Sequence, residues 1–292
     1  MNSEMLSAVL VMVSVLIIIT VINVLVKQLD QHYKTETALL SEGMDSEQVQ
    51  GVFIRNEEVI TYNGQGVISY EVSDGTDIHI TEEGVYVLTG TASNVTVYVE
   101  TDPEAKVQLV LDGLNITNES TSPIYVKNAD KVFVTTSADS SLSVTGSFTK
   151  DGTTNTDGVI FAKDDLVLNG TAALTISSSD NGIVGKDDLK ITGATLNITA
   201  SSKAIEANDS IRVADGVFYL TAGTDALHAE NDEDDTQGFI YICGGDFIID
   251  AGDDGLHAVS VVQIDGGTIT ISAAEGIEPE QADDGFYLIA DA

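Results

Sequence analysis

Residues 180–222 read DNGIVGKDDLKITGATLNITASSKAIEANDSIRVADGVFYLTA. The stretch says nearly the same thing twice, from Asp180 and again from Ser202. Its neighbours repeat it: NTDGVIFAKDDLVLNG from Asn155, TDALHAENDEDDTQGFIYICGGDFIIDA from Thr224, DDGLHAVSVVQIDGGTITISA from Asp253 and EGIEPEQADDGFYLIADA from Glu275. With Asp157, Asn181, Lys203, Asp225, Asp254 and Glu275 taken as one position, the spacings are 24, 22, 22, 29 and 21 residues. A period in the low twenties, carried by short apolar runs and glycine turns, marks a solenoid.

Each unit reads as strand, turn, strand. LKITGATLNITA and VQIDGGTITISA alternate apolar and polar residues with period two, and no run is long enough for a helix of period 3.6. Asn-Gly and Asp-Gly pairs suit tight corners. The reading is an all-β parallel β-helix. Its rows can be predicted. Val159, Ile183, Ile205, Leu227, Leu256 and Ile277 form an apolar, inward row. The next residues, Ile160, Val184, Glu206, His228, His257 and Glu278, face outward and turn polar from the third coil, because side chains alternate sides of a strand. Phe161, Gly185, Ala207, Ala229, Ala258 and Pro279 follow as a smaller, inward row.

The 292-residue chain carries 12 Lys and Arg against 47 Asp and Glu, for a formal charge of −35. No basic residue follows Arg212, and 18 acids do. A nucleic-acid partner needs a positive footprint, so that class is excluded. Carboxylates stacked on coils about 4.8 Å apart repel unless neutralised, and calcium, which takes carboxylate oxygens in flexible geometry, is the natural counterion. The candidate ligands are Asp164 and Asp165, Asp187 and Asp188 and Asp209 in the recurring KDD and ND pairs, with Asp225, Asp253 and Asp254 beyond them. Asp and Asn also cap turns through backbone hydrogen bonds, and that reading stays open beside the first. The acidic run 230–237, ENDEDDTQ, lengthens one turn without EF-hand spacing. Glu206, His228, His257 and Glu278 on the outward row, with Tyr241, are candidate carbohydrate contacts, Tyr241 having core packing with a satisfied hydroxyl as its alternative. A polar outward row also occurs with no task at all. Among the sequence's own motifs there is no GxSxG, HExxH or P-loop.

Ahead of the solenoid, residues 1–5 form a short tail and residues 6–26 are uncharged and apolar, enough to span a bilayer as a helix. No basic n-region precedes them and no A-x-A site follows, so an uncleaved anchor is expected. Lys27 and Lys34 bias the charge toward an inside C-terminus, but large domains translocate largely regardless of so small a bias. The expected arrangement is a single-pass cell-membrane protein with its C-terminal domain outside. Residues 27–50 read as a polar linker and 51–76 as a short strand pair. Cys243 is the single cysteine, so no disulfide forms within the chain.

Two resemblances add to this. Residues 6–76, with the run YNGQGVISYEVSDGT, resemble the start of hemolysin-D-type membrane adaptor proteins but lack that family's coiled-coil hairpin, so no adaptor function carries over. From Asp77, the runs DIHITEEGVYVLTGTASN, VQLVLDGLNITNESTSPIYVKNADKVFVTT, DGVIFAKDDLVLNGTAALTISS and DDTQGFIYICGGDF are similar to a clostridial-type, Gram-positive family of carbohydrate-binding surface proteins. That resemblance covers residues 77–292. It implies a right-handed parallel β-helix like that of pectate lyases, calcium at coil turns, and plant-wall polysaccharide, including acidic sugars, as partner. The expected function is therefore extracellular, calcium-assisted binding of an acidic polysaccharide. The alternatives are a polysaccharide lyase acting on uronates and a purely structural adhesion stalk.

Overall fold

The computed structural model describes residues 67–231, 234, 237–273 and 288–289. Regular structure in them is β-strand throughout, paired in parallel. No helix among these residues is long and apolar enough to cross a membrane. The apolar stretch 6–26, the linker 27–50 and most of 51–76 lie outside the described residues.

One wall of the solenoid is an eight-stranded sheet running from Ile78–Ile80 through Val97–Glu100, Ile124–Asn128, Gly158–Ala162, Asn181–Gly185, Ile205–Ala207 and Leu227–Ala229 to Leu256–Ala258. A 14-stranded sheet wraps the remaining two sides. In the middle coils one long strand serves both sides: Asp165–Ser178 and Asp188–Ala200 pair in register at both ends, with shifts where the chain turns the corner. From the next coil on, the corner breaks each long strand in two, as in Ser210–Val213 and Val217–Ala222. Gly216 makes that corner with φ near +147°, and a Cβ there would lie 2.8 Å from the Ala194 carbonyl of the coil below. Only glycine meets both demands. Val67–Glu71, read from sequence as part of the 51–76 segment, pairs residue by residue with Gly84–Ser93 and forms the first described rung of the ladder.

The inward row runs Ile160, Ile183, Ile205, Leu227, Leu256, all buried. From Ile183 to Leu256 it is the row expected. In the first coil the expected phase is wrong by one residue. Gly158 pairs with Asn181, so Ile160 takes the inward place assigned to Val159, and Phe161 joins the outward row. The coil spacing is therefore 23 residues, not 24. The cause is physical. All five residues of Gly158–Ala162 are buried, so GVIFA carries no alternation from which to read a phase. On the other sides the core stacks Leu166, Leu189, Ile211, Ile240 and Val262, and Leu174, Leu196, Phe218, Phe247 and Ile269. Phe218 and Phe247 lie face to face, with centroids 4.1 Å apart and planes 5° from parallel. Each buried ring contributes about 1.5–3 kcal/mol through apolar area removed from water.

Candidate functional site

The outward row of the eight-stranded sheet is continuous over eight coils: His79, Tyr98, Tyr125, Phe161, Val184, Glu206, His228 and His257. Its first half is aromatic. His79 stacks on Tyr98 at 5.0 Å, Tyr98 leans on Tyr125 at 5.8 Å, and Tyr125 meets Phe161 edge to face at 5.5 Å. Lys127 lies over the Tyr98 and Tyr125 rings at 4.9 and 5.0 Å and pairs with Asp151 at 3.0 Å. Burial, with Asp151 adding to it, pushes the Tyr125 phenol up to about 12. Reading the repeat from Asp157 onward missed this half. The strands IYVKN and VTVYVE carry the same alternation, but their row residues lie 36 and 27 residues back and not 22–24, so the period alone does not reach them.

At Glu206 the row becomes ionic. Lys186 and Lys203 reach its two carboxylate oxygens at 2.9 and 3.3 Å, and the Asn181 amide donates to it at 3.2 Å. Burial opposes its charge, but the two lysines outweigh burial and hold the carboxyl below its usual value. Glu206 is thus satisfied by protein groups in this arrangement.

His228 and His257 stack one coil apart, centroids 4.6 Å and planes 10° from parallel. His228 Nδ1 bonds to Asp225 at 2.8 Å and its Nε2 to Glu230 at 2.9 Å. His257 Nδ1 bonds to Asp254 at 3.1 Å. Burial works against the charged ring of His228, but the two carboxylates outweigh it and raise its pKa. For Asp225, burial is likewise outweighed, by His228 and by the Asp254 N–H, and its pKa falls. The backbone link recurs down this position: Asn181 Oδ1 accepts from the Lys203 N–H at 3.0 Å, and Asp225 Oδ1 from the Asp254 N–H at 3.1 Å. The polar residue of one coil therefore caps the next.

Two groups in this corner bring possible ligand atoms within 4.8 Å of one another: Asp225 with His228 and His257, and Asp225 with Asp253 and Asp254. Parallel rings send their in-plane lone pairs side by side, so one ion cannot meet both imidazoles without a ring turning. The three carboxylates suit a hard cation without such a turn. Asp225 is buried, Asp254 half-buried and Asp253 exposed, which leaves the set open on one side.

The other sequence candidates sit elsewhere. Asp165 pairs with Lys131 at 3.1 Å, and Asp188 pairs with Arg212 at 3.3 Å and accepts from Ser210. Asp164 accepts from the Ala129 N–H, Asp187 from the Asp188 N–H, and Asp209 from the Asn231 amide. For these five the turn-capping and ion-pairing roles are the ones the structure displays. Burial, with Asp165, Asp209 and Asp188 adding repulsion, pushes Asp187 up to about 6. Lys190, which the sequence reading passed over, is buried beside Arg212 and Asp188, and burial pushes it down to about 8. Tyr241 must be corrected as a surface contact. Its side chain is fully buried, and its hydroxyl donates to Asp265 at 2.9 Å. Burial raises its pKa. Arg212, on the strand paired with it, places its guanidinium over the Phe239 ring at 5.1 Å. Glu278, with Glu275, Ile277 and Pro279 of the last coil, lies outside the described residues.

Comparison with known proteins bears on this geometry. A protein of Acetivibrio thermocellus described as carbohydrate-binding domain-containing is 32% identical over 139 residues, 46% of this chain and 48% of its own. The chain thus spans about half the length of that relative. A solved structure described as that of the polysaccharide lyase-like protein from C. thermocellum, gadolinium derivative, is 30% identical, covers 70% of this chain and 91% of its own, and superposes with a TM-score of 0.67. The model of the family described as carbohydrate-binding domain-containing protein matches residues 74–286, nearly three quarters of the chain, and the chain belongs to that family.

Proposed function

We infer that this protein binds polysaccharide, with calcium held by Asp225, Asp253 and Asp254 and the glycan laid along the Glu206, His228 and His257 row. The observation that carries the reading is the approach of three carboxylates within 4.8 Å beside that row, in a chain of charge −35. An ion at this corner would be open to a uronate carboxylate of the ligand, which completes a coordination shell of 6–8 oxygens together with water and backbone carbonyls. The ligand class is therefore an acidic polysaccharide. Among the residues of the outward row, His257 is only half-buried and offers its free Nε2 edge to sugar hydroxyls. The solenoid is taken as right-handed, since crossovers between parallel strands in one sheet are right-handed in about 98% of cases. Residues 6–26 serve as a membrane anchor, with the solenoid outside the cell.

The lyase reading has two supports, the likeness to the structure described as polysaccharide lyase-like and the buried Lys190, whose pKa burial lowers. Yet Lys190 is buried and belongs to the other sheet, among Asp188 and Arg212, away from the three-carboxylate corner. Binding of polygalacturonate by calorimetry, with calcium and with chelator, tests the proposal, and an absorbance assay for unsaturated uronate product runs beside it. Calcium-dependent binding without product is the expected result. Product formation moves the lyase reading ahead, and equal affinity in chelator removes calcium from the account. Immunolabelling of intact cells and a membrane-fraction blot test the anchor.

A further inference from the structure

Two successive coils carry the same short motif, Asp225-Ala226-Leu227-His228-Ala229 and Asp254-Gly255-Leu256-His257-Ala258. They pair in register, so the two imidazoles stack with centroids 4.6 Å apart. The coil before them reads Lys203-Ala204-Ile205-Glu206-Ala207, and there lysines neutralise the carboxylate. Exchanging that Lys and Glu for Asp and His replaces a closed ion pair with side chains that ligate metals. Possible ligand atoms of Asp225, His228 and His257 lie within 4.8 Å of one another.

Contacts behind these atoms orient them. His228 Nε2 bonds to the Glu230 carboxylate at 2.9 Å, while its Nδ1 faces Asp225 Oδ2 at 2.8 Å. A carboxylate behind one imidazole nitrogen orients a histidine that binds metal through the other and makes it a better ligand. Asp225 Oδ1 accepts from the Asp254 N–H at 3.1 Å, which fixes the carboxylate and leaves Oδ2 for an ion. An entering ion takes the place of the proton shared by His228 Nδ1 and Asp225 Oδ2. Two ligands about 2.0–2.1 Å from a tetrahedral ion are about 3.3 Å apart. The His228–Asp225 contact must therefore open by about 0.5 Å, and the widest separation in the set must close by at most about 1.5 Å. His257 supplies that movement. It is half-buried and held through Nδ1, whereas His228 is buried and held at both nitrogens.

We propose that Asp225, His228 and His257 bind a divalent transition ion of the zinc class once His257 turns toward Asp225, with Asp254 or water as the fourth ligand. Ligand chemistry selects the ion. Imidazole nitrogen suits zinc, copper and nickel, whereas calcium takes oxygen. The set differs from the three carboxylates but shares Asp225 with them, so the two ions compete. Only that competition rests on the calcium reading.

The test is calorimetric titration of the metal-free full-length chain with zinc, beside the visible spectrum of its cobalt(II) form. About one zinc per chain should bind, and cobalt(II) should give the intense bands of a tetrahedral site. His257→Gln removes a ligand and should weaken zinc at least about a hundredfold, and Glu230→Ala, which removes the carboxylate behind His228, about 10–100-fold. Glu230 is exposed, so its variant carries the test if His257→Gln does not fold. Asp253→Asn, outside the set, should leave zinc affinity largely unchanged. No zinc binding by wild type, equal affinity in wild type and both variants, or an octahedral cobalt spectrum overturns the proposal. So does a loss in Asp253→Asn as large as in His257→Gln, since the acidic surface and not the imidazoles would then hold the ion. Calcium should add no further Tm rise to the zinc-loaded chain, and a rise that persists overturns the shared use of Asp225. A wild type that binds zinc but never responds to calcium counts against the calcium corner and leaves this site standing.

Discussion

Asp253→Asn isolates the proposed calcium corner better than any other single change. The carboxylates of Asp225, Asp253 and Asp254 approach within 4.8 Å. Two unit charges at that separation repel by about 3.5 kcal/mol at an effective dielectric near 20, and by about 1 kcal/mol in bulk water. Asp253 is exposed and Asp254 half-buried, so the lower figure governs their pairs. Neutralising Asp253 removes two of the three pairs and should stabilise the metal-free protein by about 1–2 kcal/mol. In the wild type, calcium at a hundredfold its Kd should add about 2.7 kcal/mol. For a domain of this size that is a Tm rise of about 5–11 °C. The assay is thermal unfolding of wild type and variant, each in chelator and across a calcium titration. The variant should start higher in chelator and respond little to calcium. A wild-type Tm indifferent to calcium refutes the corner as an ion site, and so does a full calcium response in Asp253→Asn.

Two further outcomes follow from the same geometry. Phe218→Ala removes one ring of the closest stack in the core and should cost about 3–5 kcal/mol in a urea melt, whereas Tyr219→Ala next to it, on solvent, should change stability by less than about 0.5 kcal/mol. In the histidine corner, His228 has a folded pKa raised above its ordinary 6.5, so its contribution is whole below that pH and fades as pH climbs through the raised value. Asp225 is lowered from 3.8, so its contribution holds above that pH and fades as pH drops through the lowered value. Urea melts across the pH range should show this corner contributing most between about pH 4 and 6.5. His228→Gln should flatten the alkaline limb, and an unchanged limb would remove the ring from the explanation.

Sequence alone determined the repeat, the all-β class and the rows from the Ile183 coil to the Leu256 coil. It could do so because those strands have one dry side and one wet side, and period-two alternation records that difference directly. The adjacency of Glu206, His228 and His257 followed from the spacing, since a solenoid turns a difference of one repeat into a neighbour about 4.8 Å away. Tertiary structure decided the rest. In GVIFA both sides are buried, so the phase was unreadable until Gly158 was seen opposite Asn181. Tyr241 could be read either as a sugar contact or as a packed ring with its hydroxyl satisfied, and Asp265, one coil on, takes that hydroxyl. The KDD pairs all offered oxygens. Which of them meet Lys131 or Arg212, and which cap a turn, depended on partners one coil away. Asp225 stands apart for the same reason. Its neighbour across the coil is another Asp-Asp pair and not a Lys or Arg, so three carboxylates gather there with only histidine beside them as a described basic partner.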